Sequence, residues 1–179
     1  MTRCRYYTAT TLDGFLADEH DSLAWLFEQQ HEPGGLADFD GFVAGIGAQV
    51  MGATTYEWLQ RHEPDWDPGP GQPVWVFTHR DLPVRRDGVR LVQGPVADHL
   101  DEVLASAGGK DVWIIGGGDL AGQFADLGHL DEVLVSIASV VLGAGRPLFD
   151  ALETPVECDL LEQAQFEDGV TLHRYAIRH

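Results

Sequence analysis

The chain has 179 residues and a formal net charge of −18. That length suits one domain around one core, expected here over 1–179, and the acidity speaks against nucleic acid or an anionic membrane as partner, since both attract basic surfaces. No apolar run approaches the roughly 20 residues that cross a bilayer, and residues 1–6 lack the apolar stretch of a secretion signal, so a cytoplasmic location is expected.

Residues 3–11 are rich in Tyr and Thr and read as a strand. Asp13-Gly14 marks a turn before the apolar piece Phe15-Leu16-Ala17. Residues 18–35 are mostly polar loop, with room for a helical turn over 23–27. Residues 36–46 read as a moderately apolar helix weakened by Gly41 and Gly45. Gln49-Val50-Met51 is a short buried strand ending at Gly52. A helix then opens at Thr54, where Thr54 and Glu57 have the spacing of a capping box. Residues 73–78 and 89–92 are the next strands. Leu100, Val103, Leu104 and Ala107 recur at helical spacing within 98–107, and Gly108-Gly109 ends that helix.

Val112-Trp113-Ile114-Ile115 is a continuous apolar run between polar and glycine-rich flanks. It is expected to be a central strand buried on both faces. Gly116-Gly117-Gly118 follows, and Leu120, Phe124 and Leu127 mark one face of a helix. Residues 132–141 form a long strand. Residues 156–166 and 170–177 form two more, joined at Glu167-Asp168-Gly169, a hairpin signal. Strands alternate with helices up to this hairpin. The expected architecture is α/β: a mixed, mostly parallel sheet of about eight strands, helices on both faces and a C-terminal antiparallel hairpin. Cys4 and Cys158 both fall in predicted strands and are expected to be free, buried thiols. Neither CxxC nor HExxH occurs, so no metal site is expected.

Chemistry is expected where a buried strand runs through glycine into a helix start. Two places fit: Met51-Gly52-Ala53-Thr54-Thr55 and Ile115-Gly116-Gly117-Gly118-Asp119-Leu120. A helix start presents unpaired N–H groups and partial positive charge, so a protein with few cations can hold a diphosphate there. Each has a plain alternative, a tight turn with no ligand. Gly116, Gly118 and Ala121 also fit G-x-G-x-x-A, but no acid stands near Ser136 to hold a ribose, and the chain ends in an antiparallel hairpin. A Rossmann dehydrogenase is therefore not expected.

Several segments, in order over nearly the whole chain, resemble the dihydrofolate reductase-like family, in particular the branch of the C-terminal reductase domain of the riboflavin-pathway deaminase/reductase. Thr11-Leu12-Asp13-Gly14-Phe15-Leu16-Ala17 resembles the family's SLDG-x-I-A opening. Met51-Gly52-Ala53-Thr54-Thr55-Tyr56-Glu57 resembles its MGR-x-TYE segment. Val76-Phe77-Thr78-His79-Arg80 resembles the turn beside the cofactor adenosine, and Ile114-Ile115-Gly116-Gly117-Gly118 the glycines at the pyrophosphate. Leu142-Gly143-Ala144-Gly145-Arg146-Pro147-Leu148-Phe149 resembles the L-G-x-G-x-P-L-F stretch.

The resemblance implies an NADPH-dependent reductase of a small heterocyclic or C=N/C=O substrate, similar to 5-amino-6-(5-phosphoribosylamino)uracil reductase or dihydrofolate reductase, and a homodimer. It implies Gly52, Thr54 and Thr55 at one phosphate-binding helix start. Gly116, Gly117, Gly118, Asp119 and Leu120 would hold the cofactor at the other, with Thr78, His79 and Arg80 beside the adenosine 2′-phosphate. Ala53 stands where the family has arginine, which leaves preference for NADPH over NADH to the Thr78-His79-Arg80 turn. Reduction of a C=N bond needs a proton for the nitrogen. The carboxylates available by position are Asp13, Asp38 and Asp40. A phosphorylated substrate would need cations, and Arg3, Arg5, Arg61 and Arg146 are the options outside the cofactor region. The alternatives are a nucleotide-binding dimer without catalytic activity and a structural or regulatory protein using only the fold.

Overall fold

The computed structural model describes residues 2–27, 39–69, 71–166 and 169–179. In chain order the elements are β1 (Cys4–Thr11), β2 (Phe15–Ala17), α1 (Ala24–Phe27), α2 (Phe39–Ala44), β3 (Ile46–Gly52), α3 (Ala53–His62), β4 (Val74–Phe77) and β5 (Val89–Val92). There follow a 3-10 turn (Val96–Asp98), α4 (Leu100–Ser106), β6 (Asp111–Gly116), α5 (Gly118–Asp126), β7 (Glu132–Ala138), β8 (Arg146–Pro147), β9 (Cys158–Gln165) and β10 (Thr171–Ile177).

Eight strands make one sheet in the order β5-β4-β3-β6-β1-β7-β10-β9, and β2 and β8 form a separate two-stranded ladder. The first six strands of the sheet are parallel, whereas β10 runs antiparallel to both β7 and β9. Period-two burial separates the two faces. Tyr6, Val50, Trp75, Val112, Ile114 and Phe124 belong to one core with α4 and α5. On the other face Met51, Tyr56, Val74 and Val76 pack under α3, and Tyr7, Phe42, Ile46 and Leu134 pack under α2. The expected mixed sheet with helices on both faces is the observed one.

The elements differ from the sequence reading in definite ways. Residues 36–38 lie outside the described residues, and the helix placed over 36–46 ends at Ala44, with β3 already begun at Ile46. Gly47 explains the early strand: a Cβ there would lie 2.0 Å from the Ala107 carbonyl oxygen, so this stretch must run hard against the end of α4. β7 stops at Ala138 rather than at residue 141, because Val140 leaves the ladder and its carbonyl accepts the Leu12 N–H. β6 is central, but it is fully buried only on the α4/α5 face; Trp113 and Ile115 on the other face are partly exposed. The thiols also differ. Cys4 is buried, its pKa pushed up to about 12 by burial and then by the charges of Asp131 and Asp111. Cys158 is exposed because β9 is an edge strand that turns most of its side chains to solvent. Glu167 and Asp168 of the predicted hairpin turn lie outside the described residues, while the antiparallel pairing on either side of them is present.

Three of the arginines are engaged at the start of β1 and on β10. Glu132, 6% exposed, accepts from Arg3, Arg5 and Arg174, and Asp111 and Glu162 extend this ladder across the start of the sheet. Burial would raise the Glu132 pKa, but the surrounding guanidinium groups outweigh it and hold the carboxyl below its ordinary value.

Candidate functional site

β3 and β6 are parallel neighbours, with Met51 opposite Gly116. Both therefore release the chain at the same edge of the sheet, where ligands gather in open α/β folds. β3 passes through Gly52 into α3, and β6 passes through Gly117 into α5. Neither helix start has a side-chain cap, because both cap residues are glycines. The predicted capping box does not form. The helix begins at Ala53, one residue before Thr54, so Thr54 is inside the first turn and Glu57 is free to meet another partner. The result is two uncapped helix starts on neighbouring strands, each presenting first-turn N–H groups and partial positive charge at the same end of the parallel strands, the place where a crevice would hold a ligand.

The two starts are held differently. At the β6 end Gly117 has φ +110°, a conformation that a side chain resists. A Cβ on Gly118 would lie 2.4 Å from the Pro147 carbonyl oxygen. That carbonyl belongs to β8, which pairs with β2. The Leu148 N–H donates to the Gly14 carbonyl at 2.8 Å, and the Leu148 carbonyl accepts the Tyr6 hydroxyl at 3.1 Å. At the β3 end, a Cβ on Gly52 would meet nothing nearer than the Gly116 carbonyl oxygen at 4.0 Å, and φ is −82°.

Asp13 secures the loop that reaches Gly118. Its carboxylate accepts the Thr11 hydroxyl at 2.6 Å and the backbone N–H groups of Leu142 and Gly143, the latter at 2.7 Å. Chiefly through the Thr11 hydroxyl, against desolvation and with help from the two amides, its pKa is held below the ordinary carboxylate value. This geometry suits an anchoring anion rather than a protonated acid. Asp40 is exposed in the first turn of α2, and Asp38 lies outside the described residues.

The other candidate residues fall around the crevice in distinct roles. Thr78 is buried at the end of β4, and its hydroxyl accepts the Arg80 N–H at 2.9 Å, closing the Thr78-His79-Arg80 turn. His79 is exposed beside it. Arg80 Nη1 donates to Glu57 Oε2 at 2.5 Å and Nη2 donates to Thr54 Oγ1 at 3.3 Å. Thr55 packs against the end of β6, its hydroxyl 3.0 Å from where a Gly116 Cβ would be. Asp119 is exposed and accepts from Gln123, whereas Leu120 sends its side chain into the core, leaving only backbone to face a ligand.

The arginines considered for a substrate phosphate are engaged elsewhere. Arg3 and Arg5 belong to the Glu132 ladder, Arg146 pairs with Asp21 at 2.6 Å, and Arg61 donates to the Glu57 carbonyl on the outside of α3. Three features had no local sequence signal. Glu57 is the partner of Arg80, the Pro147 carbonyl packs on Gly118, and Phe27 of α1 stacks on Trp58 of α3 at 5.6 Å. Beside Phe27, the buried indole N–H of Trp25 has no acceptor among the described residues.

The sequence model of the RibD C-terminal domain matches residues 4–172, and the chain belongs to this family. It is 30% identical over 167 residues to the uncharacterized protein YwjB of Bacillus subtilis (strain 168), covering 93% of this chain and 94% of that one. A structure from Shewanella sp. PV-4, assigned by name to riboflavin biosynthesis, superposes with a TM-score of 0.84 at 25% identity, covering 99% of this chain and 100% of that chain. Dihydrofolate reductase from Enterococcus faecalis, solved with NADP(H), superposes with a TM-score of 0.61 at 16% identity over 99% of this chain and 97% of that one. At that identity the last comparison speaks to the fold alone, and the fold is dihydrofolate reductase-like.

Proposed function

We propose that this protein is a reductase that binds NADPH along the crevice and reduces a small heterocyclic or C=N/C=O substrate. The observation that carries the reading is the pair of uncapped, glycine-led helix starts one strand apart. Their spacing and polarity fit a diphosphate bridging the ends of β3 and β6. A bound nicotinamide would supply the hydride. The chain's own part is to hold the phosphates at Gly52, Thr54, Thr55 and 116–118, to seat the adenosine end near Thr78, His79 and Arg80, and to present the substrate at the ends of β1 and β6. Family membership and the fold support the reductase class. The test is cofactor consumption, followed at the nicotinamide absorbance, with pterins and pyrimidines as candidate substrates; oxidation that depends on one of them supports the reading.

One observation favours a second reading, a nucleotide-binding protein without catalysis. Asp13 is committed to the Leu142 and Gly143 amides and Asp40 is exposed, so neither described carboxylate is a buried acid. Tight NADPH binding without turnover of any candidate substrate would favour it.

We further propose a homodimer. Val140 and Leu142 pack inward with Trp25, but Val141 is 66% exposed, and β9 carries exposed Leu160 and Leu161. Light scattering at micromolar concentration is expected to give twice the chain mass. Among the described residues no helix is long and apolar enough to cross a membrane, and a cytoplasmic location is part of the proposal.

A further inference from the structure

At the β4 end of the crevice the cation already has a partner. Arg80 lies against Glu57 at 2.5 Å and Thr54 at 3.3 Å, two residues one turn apart on α3, while its own backbone N–H is fixed by Thr78. Two other arginines of the β4–β5 region are engaged, Arg86 with the Pro64 carbonyl and Arg90 over the Trp75 ring, while Arg85 is exposed in the same connection, five residues beyond Arg80. Residue 53, in the first turn of α3, is an alanine whose methyl group is buried with Met51, Val76 and Leu82.

We propose that Glu57 is a selectivity residue for the adenosine end of the cofactor. It holds Arg80 so that a ribose 2′-phosphate gains little over a free 2′-hydroxyl, and NADH is accepted about as well as NADPH. This inference rests on reading the crevice as a dinucleotide site. A 2′-phosphate brings up to two negative charges. It must either share Arg80 with the carboxylate, placing like charges side by side, or displace Glu57 and leave it facing the phosphate from the same helix. A ribose diol faces neither penalty. It can donate to Glu57 Oε1, which meets no donor among the described residues, as a carboxylate does in NAD-dependent dinucleotide folds. The side chains of Arg80 and Glu57 are 53% and 33% exposed, so solvent and salt limit the effect to a graded preference rather than exclusion.

The experiment is calorimetric titration of the full chain with NADH and NADPH, for the wild type, Glu57→Gln, Arg80→Gln and the double variant. The wild type is expected to bind the two cofactors within about threefold. Glu57→Gln should tighten NADPH about tenfold relative to NADH, the scale of one charge-assisted hydrogen bond made available. The double variant should return to parity, which separates release of Arg80 from general loosening of α3. A cofactor ratio unchanged by Glu57→Gln, or a wild-type preference for NADPH above about thirtyfold, overturns the proposal while leaving the dinucleotide site standing. Failure of every form to bind either cofactor, with melting curves intact, overturns the dinucleotide reading and the proposal with it.

Discussion

The junction after β3 and the junction after β6 are alike in sequence, each a glycine between a buried strand and a helix, yet they are built for different reasons. At the β6 junction the protein itself demands glycine. Gly117 sits at φ +110°, and the Gly118 Cβ position is filled by the Pro147 carbonyl. At the β3 junction nothing among the described residues demands it. Gly52 has φ −82°, and the nearest atom to its Cβ position is 4.0 Å away. An alanine would fit among the described residues there, in ordinary contact with the Gly116 carbonyl. The tripled glycine stands out more in the sequence, but Gly52 is the cleaner reporter of binding.

This contrast can be broken by substitution. Gly118→Ala should have the largest effect. Its methyl group would fall on a carbonyl oxygen held by the β2/β8 ladder, and the backbone must shift; a loss of about 3 kcal/mol is expected, read as a lower midpoint in urea unfolding. Gly52→Ala should leave that midpoint where it is and weaken NADPH about tenfold, because the methyl group projects into the gap between the two helix starts. If Gly52→Ala instead unfolds the protein, or binds cofactor as the wild type does, the two junctions are not different in kind. Gly117 is the poorer probe, since any side chain there mixes backbone strain with lost binding.

A smaller effect sharpens the same comparison by pH. Asp13 links β1 to the loop that covers Gly118, and its pKa is depressed in the folded state. A depressed carboxylate contributes stability at neutral pH, and that contribution is lost as pH falls from about 4, the unfolded value, through the folded one. The wild type should therefore lose stability between neutral pH and pH 3 more steeply than Asp13→Asn does. Urea midpoints for both proteins at the two pH values would check it, and parallel losses would place the anchor elsewhere.

What the sequence made legible follows from the range of the interactions. The strand and central place of the apolar run in β6, the spacing of Leu120 and Phe124 on α5 and the hairpin pairing of β9 with β10 depend on near neighbours and stand as read, whereas the expected burial of β6 on both faces holds on one only. The glycines at both strand ends were legible as a candidate site for the same reason. The purpose of each glycine was not, because it depends on Pro147, about thirty residues from Gly118, and on Asp13, which reaches Gly143 across 130 positions. Thr54 and Glu57 have capping-box spacing, yet the helix starts at Ala53, and Glu57 bonds to Arg80, 23 residues away. A one-residue shift in a helix start, invisible to a spacing rule, thus turned an expected cap into an ion pair at the site.

The proposed placement of the dinucleotide is across the ends of β3 and β6. A crystal structure of the chain soaked with NADPH tests it most directly. The expected density places the pyrophosphate against the backbone N–H groups of the α3 and α5 starts, beside Gly52 and Gly117, with the adenosine ribose next to the Glu57–Arg80 pair. Density for the cofactor at any other edge of the sheet, or an empty crevice at saturating NADPH, would contradict the account.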